Sequence, residues 1–251
     1  MRRHVLGLAL AAAALAGSAR AAPVVQLTQP PRHSAGAASL PRIASPATPA
    51  TAKINAGLAR IDARWVRAAR ECLGHAKPAD AEMNRTVAAP MLGPRYLSIV
   101  AHDNAAGENA AHPDAWILAL TYDLDTGSPV TWGRLLGPKL VEASAIDTAG
   151  DGSTVGVVSS SALHDLYVKA ESGDQDPATR AQCADVLEDE TMQFQLWLDA
   201  AKGGLVVSPS SLPHAVAACG GDAVIPVATL RRLGADPALL AALEAARKSG
   251  R

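Results

Sequence analysis

The sequence predicts an α+β fold: an antiparallel sheet packed with amphipathic helices, in a single domain of residues 41–251. Three observations lead there. Ile54, Leu58, Ile61, Trp65, Ala68 or Ala69 and Cys72 recur at helical spacing, which places them on one helix face. Short apolar segments then follow one another through the middle of the chain, separated by polar connections. Hairpins and helices mix without the regular strand–helix–strand alternation of a parallel sheet. Hydrophobic residues make up 49% of the chain and aromatics only 3%, so a sizeable core must be built mostly from Ala, Val, Leu and Ile.

In chain order, residues 1–21 read as a secretory signal. Arg2, Arg3 and His4 precede an apolar run that ends at Ala-Arg-Ala, residues 19–21, a small-x-small cleavage pattern. The run is shorter than the about 20 apolar residues a membrane span needs. Cleavage after Ala21 is therefore expected, with no membrane span afterwards and a periplasmic or extracellular location. Residues 22–40 carry Pro23, Pro30 and Pro31 among Ala and Ser and read as a flexible arm. The helix itself is expected over residues 51–73 and stops at Gly74. Lys53, Arg60, Arg64, Arg67 and Arg70 lie mainly off its apolar stripe as a solvated surface.

Strands are expected over residues 85–91, 95–102 and 115–124. A long polar loop, 103–114, joins the last two, and the turn Asp125-Thr126-Gly127 closes the third. A helical turn follows at 131–136, then a helix at 160–171 and an acidic irregular region at 171–190. Residues 192–198 and 205–208 form a hairpin, and 215–218 and 223–227 read as two short strands. Asp236-Pro237 is an N-cap followed by Pro at the first helical position, so the last helix runs to about Lys248.

Charge excludes one class of function. Removing residues 1–21 takes away Arg2, Arg3 and Arg20 and no acid, so the net charge moves from −1 to −4. A mildly acidic chain lacks the basic footprint of a nucleic-acid binder. Cys72, Cys183 and Cys219 are an odd set for an oxidising compartment. Cys72–Cys183 is the leading pair, because Cys72 ends a helix and Cys183 sits in a polar connection that a bridge would staple. The other pairings and no bridge stay open.

No constellation for catalysis stands out. His102-Asp103 with His112-Pro113-Asp114 matches no metal-ligand spacing. Ser159, Ser160 and Ser161 with His164, Asp165 or His214 lack a nucleophile elbow, and a serine run before a helix reads as an N-cap. Cys219 has no C-x-x-C partner. Asp151-Gly152-Ser153 lacks the alternating oxygen ligands of a calcium loop. No cofactor and no metal is expected.

Several segments resemble one known family. They are Pro41-Arg42-Ile43, Ile54-Asn55-Ala56-Gly57-Leu58, the strand YLSI at 96–99, Ala111-His112-Pro113 and DLDTG at 123–127. Gly204-Leu205, the small-residue stretch 215–220 and Ile225-Pro226 complete the series. In this order they are similar to the extracytoplasmic domain of unknown function of RsiV-like, lysozyme-binding anti-sigma factors, which also occurs beside some peptidoglycan deacetylase domains. The anti-sigma members carry a sigma-binding segment and a membrane helix before the domain, where this chain has a cleavable signal, so sigma sequestration does not carry over. Relatives often have Gly-Gly or Cys-Gly-Gly before the Ala-His-Pro loop. Here Glu108-Asn109-Ala110 stands instead, which on this resemblance leaves Cys219 without a partner.

The resemblance implies a non-catalytic binding module of the bacterial envelope, recognising a lysozyme-like or other protein, or a peptidoglycan-related glycan. The residues singled out for contact are His112 and Asp114 on the hairpin loop, and Glu188, Asp189 and Glu190 in the acidic stretch, which would steer a basic partner. The alternative is an envelope hydrolase or deacetylase using His and Asp residues of the 102–114 region.

Overall fold

The computed structural model describes residues 25–74, 82–106, 114–141, 143–148, 154–174, 176–210, 212 and 214–250. The fold is α+β with antiparallel sheets, as the sequence predicts. A two-stranded ribbon, β1 (Gln26–Thr28) with β2 (Arg42–Ser45), leads into the long helix α1 (Pro49–Gly74). A four-stranded sheet follows: β3 (Glu82–Leu92), β4 (Tyr96–Ala106), β5 (Asp114–Asp123) and the short β6 (Ser128–Pro129), in that order. After α2 (Trp132–Leu136) come β7 (Ala143–Thr148), β8 (Thr154–Ser159), α3 (Ser161–Asp174), α4 (Pro177–Gln182) and α5 (Ala184–Leu187). β9 (Gln193–Asp199), β10 (Gly204–Pro209) and β11 (Ala223–Pro226) complete a five-stranded sheet in the order β11-β10-β9-β8-β7. Helices α6 (Val227–Leu233) and α7 (Pro237–Lys248) close the described chain.

Period-2 alternation sorts the side chains into layers. From β4, Leu97 and Ile99 join Leu120 and Tyr122 of β5 against Ile54, Leu58 and Ile61 of α1. The opposite face of the same sheet presents Val100 and Ala119 to Trp197 and Val206 of the second sheet. Beyond that sheet, Phe194, Leu196, Leu205 and Ile225 meet Trp132, Tyr167, Leu239 and Leu243. The order is α1, four-stranded sheet, five-stranded sheet, outer helices.

Strand β9 crosses the first sheet instead of running along it. Its Ala200 end donates an N–H to the Pro90 carbonyl of β3 at 3.0 Å. Leu198 N–H donates to Ser98 Oγ of β4 at 3.1 Å. Gln195 bonds to β5 through its carboxamide. Three successive strands are thus touched by one crossing strand, an orthogonal way of packing two sheets.

The structure corrects several expectations. The stretch 22–40 is not a free arm in its described part. Val25 is buried, β1 pairs with β2, and Ala37 bridges to Arg85 with Ala37 and Leu40 fully enclosed. This strap packs although Pro30 and Pro31 lie within it. Helix α1 starts earlier than expected because Thr48 and Thr51 cap each other. Thr51 N–H donates to Thr48 Oγ1 at 3.1 Å and Thr48 N–H to Thr51 Oγ1 at 2.9 Å, a reciprocal capping box. The described residues of the 103–114 stretch are strand: β4 runs on to Ala106, and Ala105 stands opposite Asp114.

Residues 215–218 form no strand but part of a 3-10 turn, His214–Cys219. The acidic region 171–190 contains α4 and α5. The disulfide joins Cys183 to Cys219, not Cys72 to Cys183. The 3-10 turn carries Cys219 to the end of α4, so the staple ties the acidic helices to the approach to β11. The signal segment 1–21 and the turn at 151–153 lie outside the described residues.

Candidate functional site

Two clefts flank the outer half of the β4–β5 hairpin, one on each face of the sheet. The first, about 370 Å³, opens towards α1 and is lined by Ile61, Arg64, Trp65, Ala68, Met83, Arg85, Asp103, Trp116, Leu118 and Gln195, among others. The second, about 560 Å³, opens towards the five-stranded sheet and is lined by His102, Asn104, Ala115, Ile117, Ser208, Pro209, Ser210, Leu212 and Gly220. Asp103, Trp116, Ile117 and Ser210 border both. Trp116 is 38% exposed and is the exposed large apolar side chain among the described residues.

The floor of the first cleft is a buried charge network. Arg85 of β3 and Asp103 of β4 are register partners, so both point towards α1. Arg85 Nε and Nη2 donate to the two Asp103 oxygens at 2.6 and 2.8 Å. Trp65 Nε1–H of α1 donates to Asp103 Oδ1 at 2.9 Å, and the Arg85 guanidinium lies 4.6 Å from the Trp65 ring centre. Behind it Asp62 accepts from the Leu40 N–H at 3.1 Å and from Arg42 Nη2 at 2.7 Å, with Arg85 Nη1 at 3.6 Å and His33 Nε2 at 3.3 Å. His33 also stacks on Trp65 at 5.5 Å. These carboxylates are committed to holding the strap, helix and sheet together.

Gln195 lines the first cleft at the edge of β5. Its Oε1 accepts the Ala119 N–H and its Nε2 donates to the Ile117 carbonyl, both at 2.6 Å. A primary amide placed this way makes the same donor–acceptor pair that a neighbouring strand would.

The residues predicted from sequence fall in three places. His112 lies outside the described residues. Asp114 begins β5, next to Ala115 of the second cleft. Glu188, Asp189 and Glu190 are exposed between α5 and β9. The Thr191 hydroxyl, and then the Thr191 N–H, hydrogen-bond Asp189 and hold its carboxyl below the ordinary range. Asp185 and Asp189 line a further cleft of about 300 Å³ that shares Leu212 with the hairpin cleft.

The other candidates lie apart in the fold. His102 and Asp103 are strand neighbours and face opposite sides, so they do not converge with each other. Ser160 caps α3: its hydroxyl donates to the Leu140 carbonyl at 2.7 Å and accepts the Leu163 N–H at 3.2 Å. His164 is buried against Phe194 at 6.4 Å. Cys219, expected to be left over, is bonded to Cys183. Sequence reasoning missed Trp116, Arg85 and Gln195, because nothing local in the chain marks a strand tryptophan as exposed or an arginine as buried.

No family model and no curated relative matches the chain. Among solved structures, it is similar to the crystal structure of a member of the DUF3298 family from Bacteroides fragilis. The identity is 12%, the match covers 88% of this chain and 96% of that one, and the TM-score is 0.49.

Proposed function

We propose that this chain is an extracytoplasmic, non-catalytic binding module of the bacterial envelope, and that it binds a protein of the lysozyme-like class or a peptidoglycan-related ligand beside the β4–β5 hairpin. The observation that carries this reading is the contrast within the first cleft. The two charges at its floor, Arg85 and Asp103, are locked into one another, whereas Trp116 offers an exposed aromatic surface at the rim. Such an arrangement suits holding a ligand by contact area, because an acid tied by an arginine and an indole N–H is a poor proton shuttle.

The Cys183–Cys219 bond supports an oxidising compartment, in keeping with export after cleavage near Ala21. Among the described residues no helix is long and apolar enough to cross a membrane. His112 and Asp114 belong to the contact surface in this reading. Glu188, Asp189 and Glu190 accelerate the approach of a basic partner.

The test is retention of a lysozyme-like protein and of soluble peptidoglycan fragments by the chain from residue 22 onward, at low and high salt. Retention abolished by Trp116→Ala is expected for either ligand. For the basic protein, Glu188→Gln, Asp189→Asn and Glu190→Gln together should slow association mainly at low salt. If neither ligand is retained, or Trp116→Ala changes nothing, this reading fails.

A further inference from the structure

The edge of β5 that faces away from β4 is only partly used. β6 pairs with it at Tyr122 and Asp123 alone, and Val130 N–H reaches the Thr121 carbonyl. Gln195 takes the Ala119 N–H and the Ile117 carbonyl. In a strand the N–H and C=O of one residue point to the same side, and alternate residues share that side. Hence the Ile117 N–H and both backbone groups of Ala115 also point outward, and none has a partner among the described residues.

This open stretch lies where the two clefts meet. A strand laid along it would send alternate side chains into the cleft beside α1 and into the cleft beside Ser208–Ser210. Arg64, exposed on the α1 wall, has no acidic partner among the described residues. An exposed edge next to cavities on both faces is a liability unless something covers it.

We propose that the ligand class of this site is an extended peptide, added as a strand to the β5 edge from Ala115 to Ile117, with an apolar side chain against Trp116 and an acidic one against Arg64. Gln195 already supplies the next pair of bonds along the edge, so an incoming peptide continues a ladder whose first rung is in place. Main-chain bonds give this recognition its affinity, and the two clefts read alternate side chains. The inference rests on the binding-module reading above and narrows its ligand to peptide.

The experiment titrates the chain from residue 22 onward with short blocked peptides alternating valine and glutamate. It follows tryptophan fluorescence and the Ile117 amide resonance. A second set carries lysine for glutamate, and a third is N-methylated on alternate amides. Expected are saturable binding of the glutamate peptides with a shift at Ile117, and about tenfold weaker binding on N-methylation, the loss of a backbone hydrogen bond. Arg64→Glu should reverse the preference towards the lysine set. Ala115→Pro should weaken binding by a similar factor with an unchanged circular dichroism spectrum, since its N–H is outside the β4 ladder and edges tolerate proline.

Equal binding of the N-methylated peptides overturns the proposal. So does a concentration-dependent dimer dissolved by Ala115→Pro, which would give the edge to a second copy. If no peptide binds while peptidoglycan fragments are retained through Trp116, the peptide inference falls and the binding module stands. If nothing is retained at all, both fall.

Discussion

Arg85 and Asp103 stand opposite each other on β3 and β4, and the guanidinium holds both carboxylate oxygens from positions 2% and 1% exposed. The pair sits where the strap through Ala37, helix α1 and the four-stranded sheet meet, since Arg85 N–H also donates to the Gly36 carbonyl at 3.0 Å. Removing one charge leaves the other buried. Arg85→Leu should destabilise the fold by about 3–5 kcal/mol, read as a lower urea midpoint. The double variant with Asp103→Leu should recover a large share of that loss, because no ion is then left unpaired. Arg85→Leu with an unshifted midpoint would show that the pair is not holding this junction.

Gln195 links the two sheets by side chain alone. Gln195→Leu leaves the Ala119 N–H and the Ile117 carbonyl without their partner, at about 1–3 kcal/mol, and should speed hydrogen exchange at the Ala119 amide. Gln195→Glu is the sharper probe. An ionised carboxylate still accepts the Ala119 N–H but turns an acceptor towards the Ile117 carbonyl. Its destabilisation should therefore shrink as the pH falls and the new acid protonates. Protection of the Ala119 amide that is the same in all three proteins would exclude the bridge.

How far the sequence carried can be judged at particular residues. Asp236-Pro237 announces α7, and the same physics holds at Asp176-Pro177, where Asp176 accepts the Ala178 and Thr179 N–H groups at 3.0 and 3.1 Å. That second cap lies in a stretch dominated by acidic charge, and α4 is too short to show periodicity, so only the cap marked it. Strands β7 and β8 went unrecognised because Ser, Asp, Thr and Gly dilute the apolar alternation on which strand prediction rests. The site was less legible than the fold. Arg85 with Asp103 and Gln195 with Ala119 are 18 and 76 residues apart, contacts set by sheet register and by the crossing of β9. The 103–114 region stands out in the sequence as a long polar connection between two strands. The exposed large apolar side chain beside it is Trp116, the third residue of the following strand.

The three cysteines give a covalent test of the packing around α4 and the 3-10 turn. Non-reducing peptide mapping should recover Cys183 joined to Cys219. Cys183→Ala with Cys219→Ala should lower stability by about 2–4 kcal/mol, mainly by releasing the unfolded chain. A linked peptide containing Cys72 would show that the acidic helices are anchored to α1 instead.

The chain's three tyrosines predict its alkaline limit. Burial pushes the Tyr122 phenol up to about 12, with Arg60 and Arg42 pulling the other way. Burial likewise raises Tyr167 to about 12, against the Gly221 N–H that its oxygen accepts at 3.2 Å. Tyr96 is also raised by burial, partly offset by Arg95. A phenol in the unfolded chain ionises near about 10. The folded state keeps its protons where the unfolded state has begun to lose them. The stabilisation is therefore complete below about 10 and is lost as the pH climbs through about 12, at up to about 1.4 kcal/mol per pH unit for each such group. Phenolate absorbance should rise only together with unfolding, with no tyrosine titrating at its ordinary value in the native protein. Tyr122→Phe, which removes the ionisable proton and keeps the ring, should flatten the alkaline decline. A native phenol titrating near 10, or a decline as steep in Tyr122→Phe as in the parent, would mean that these rings are not enclosed as described.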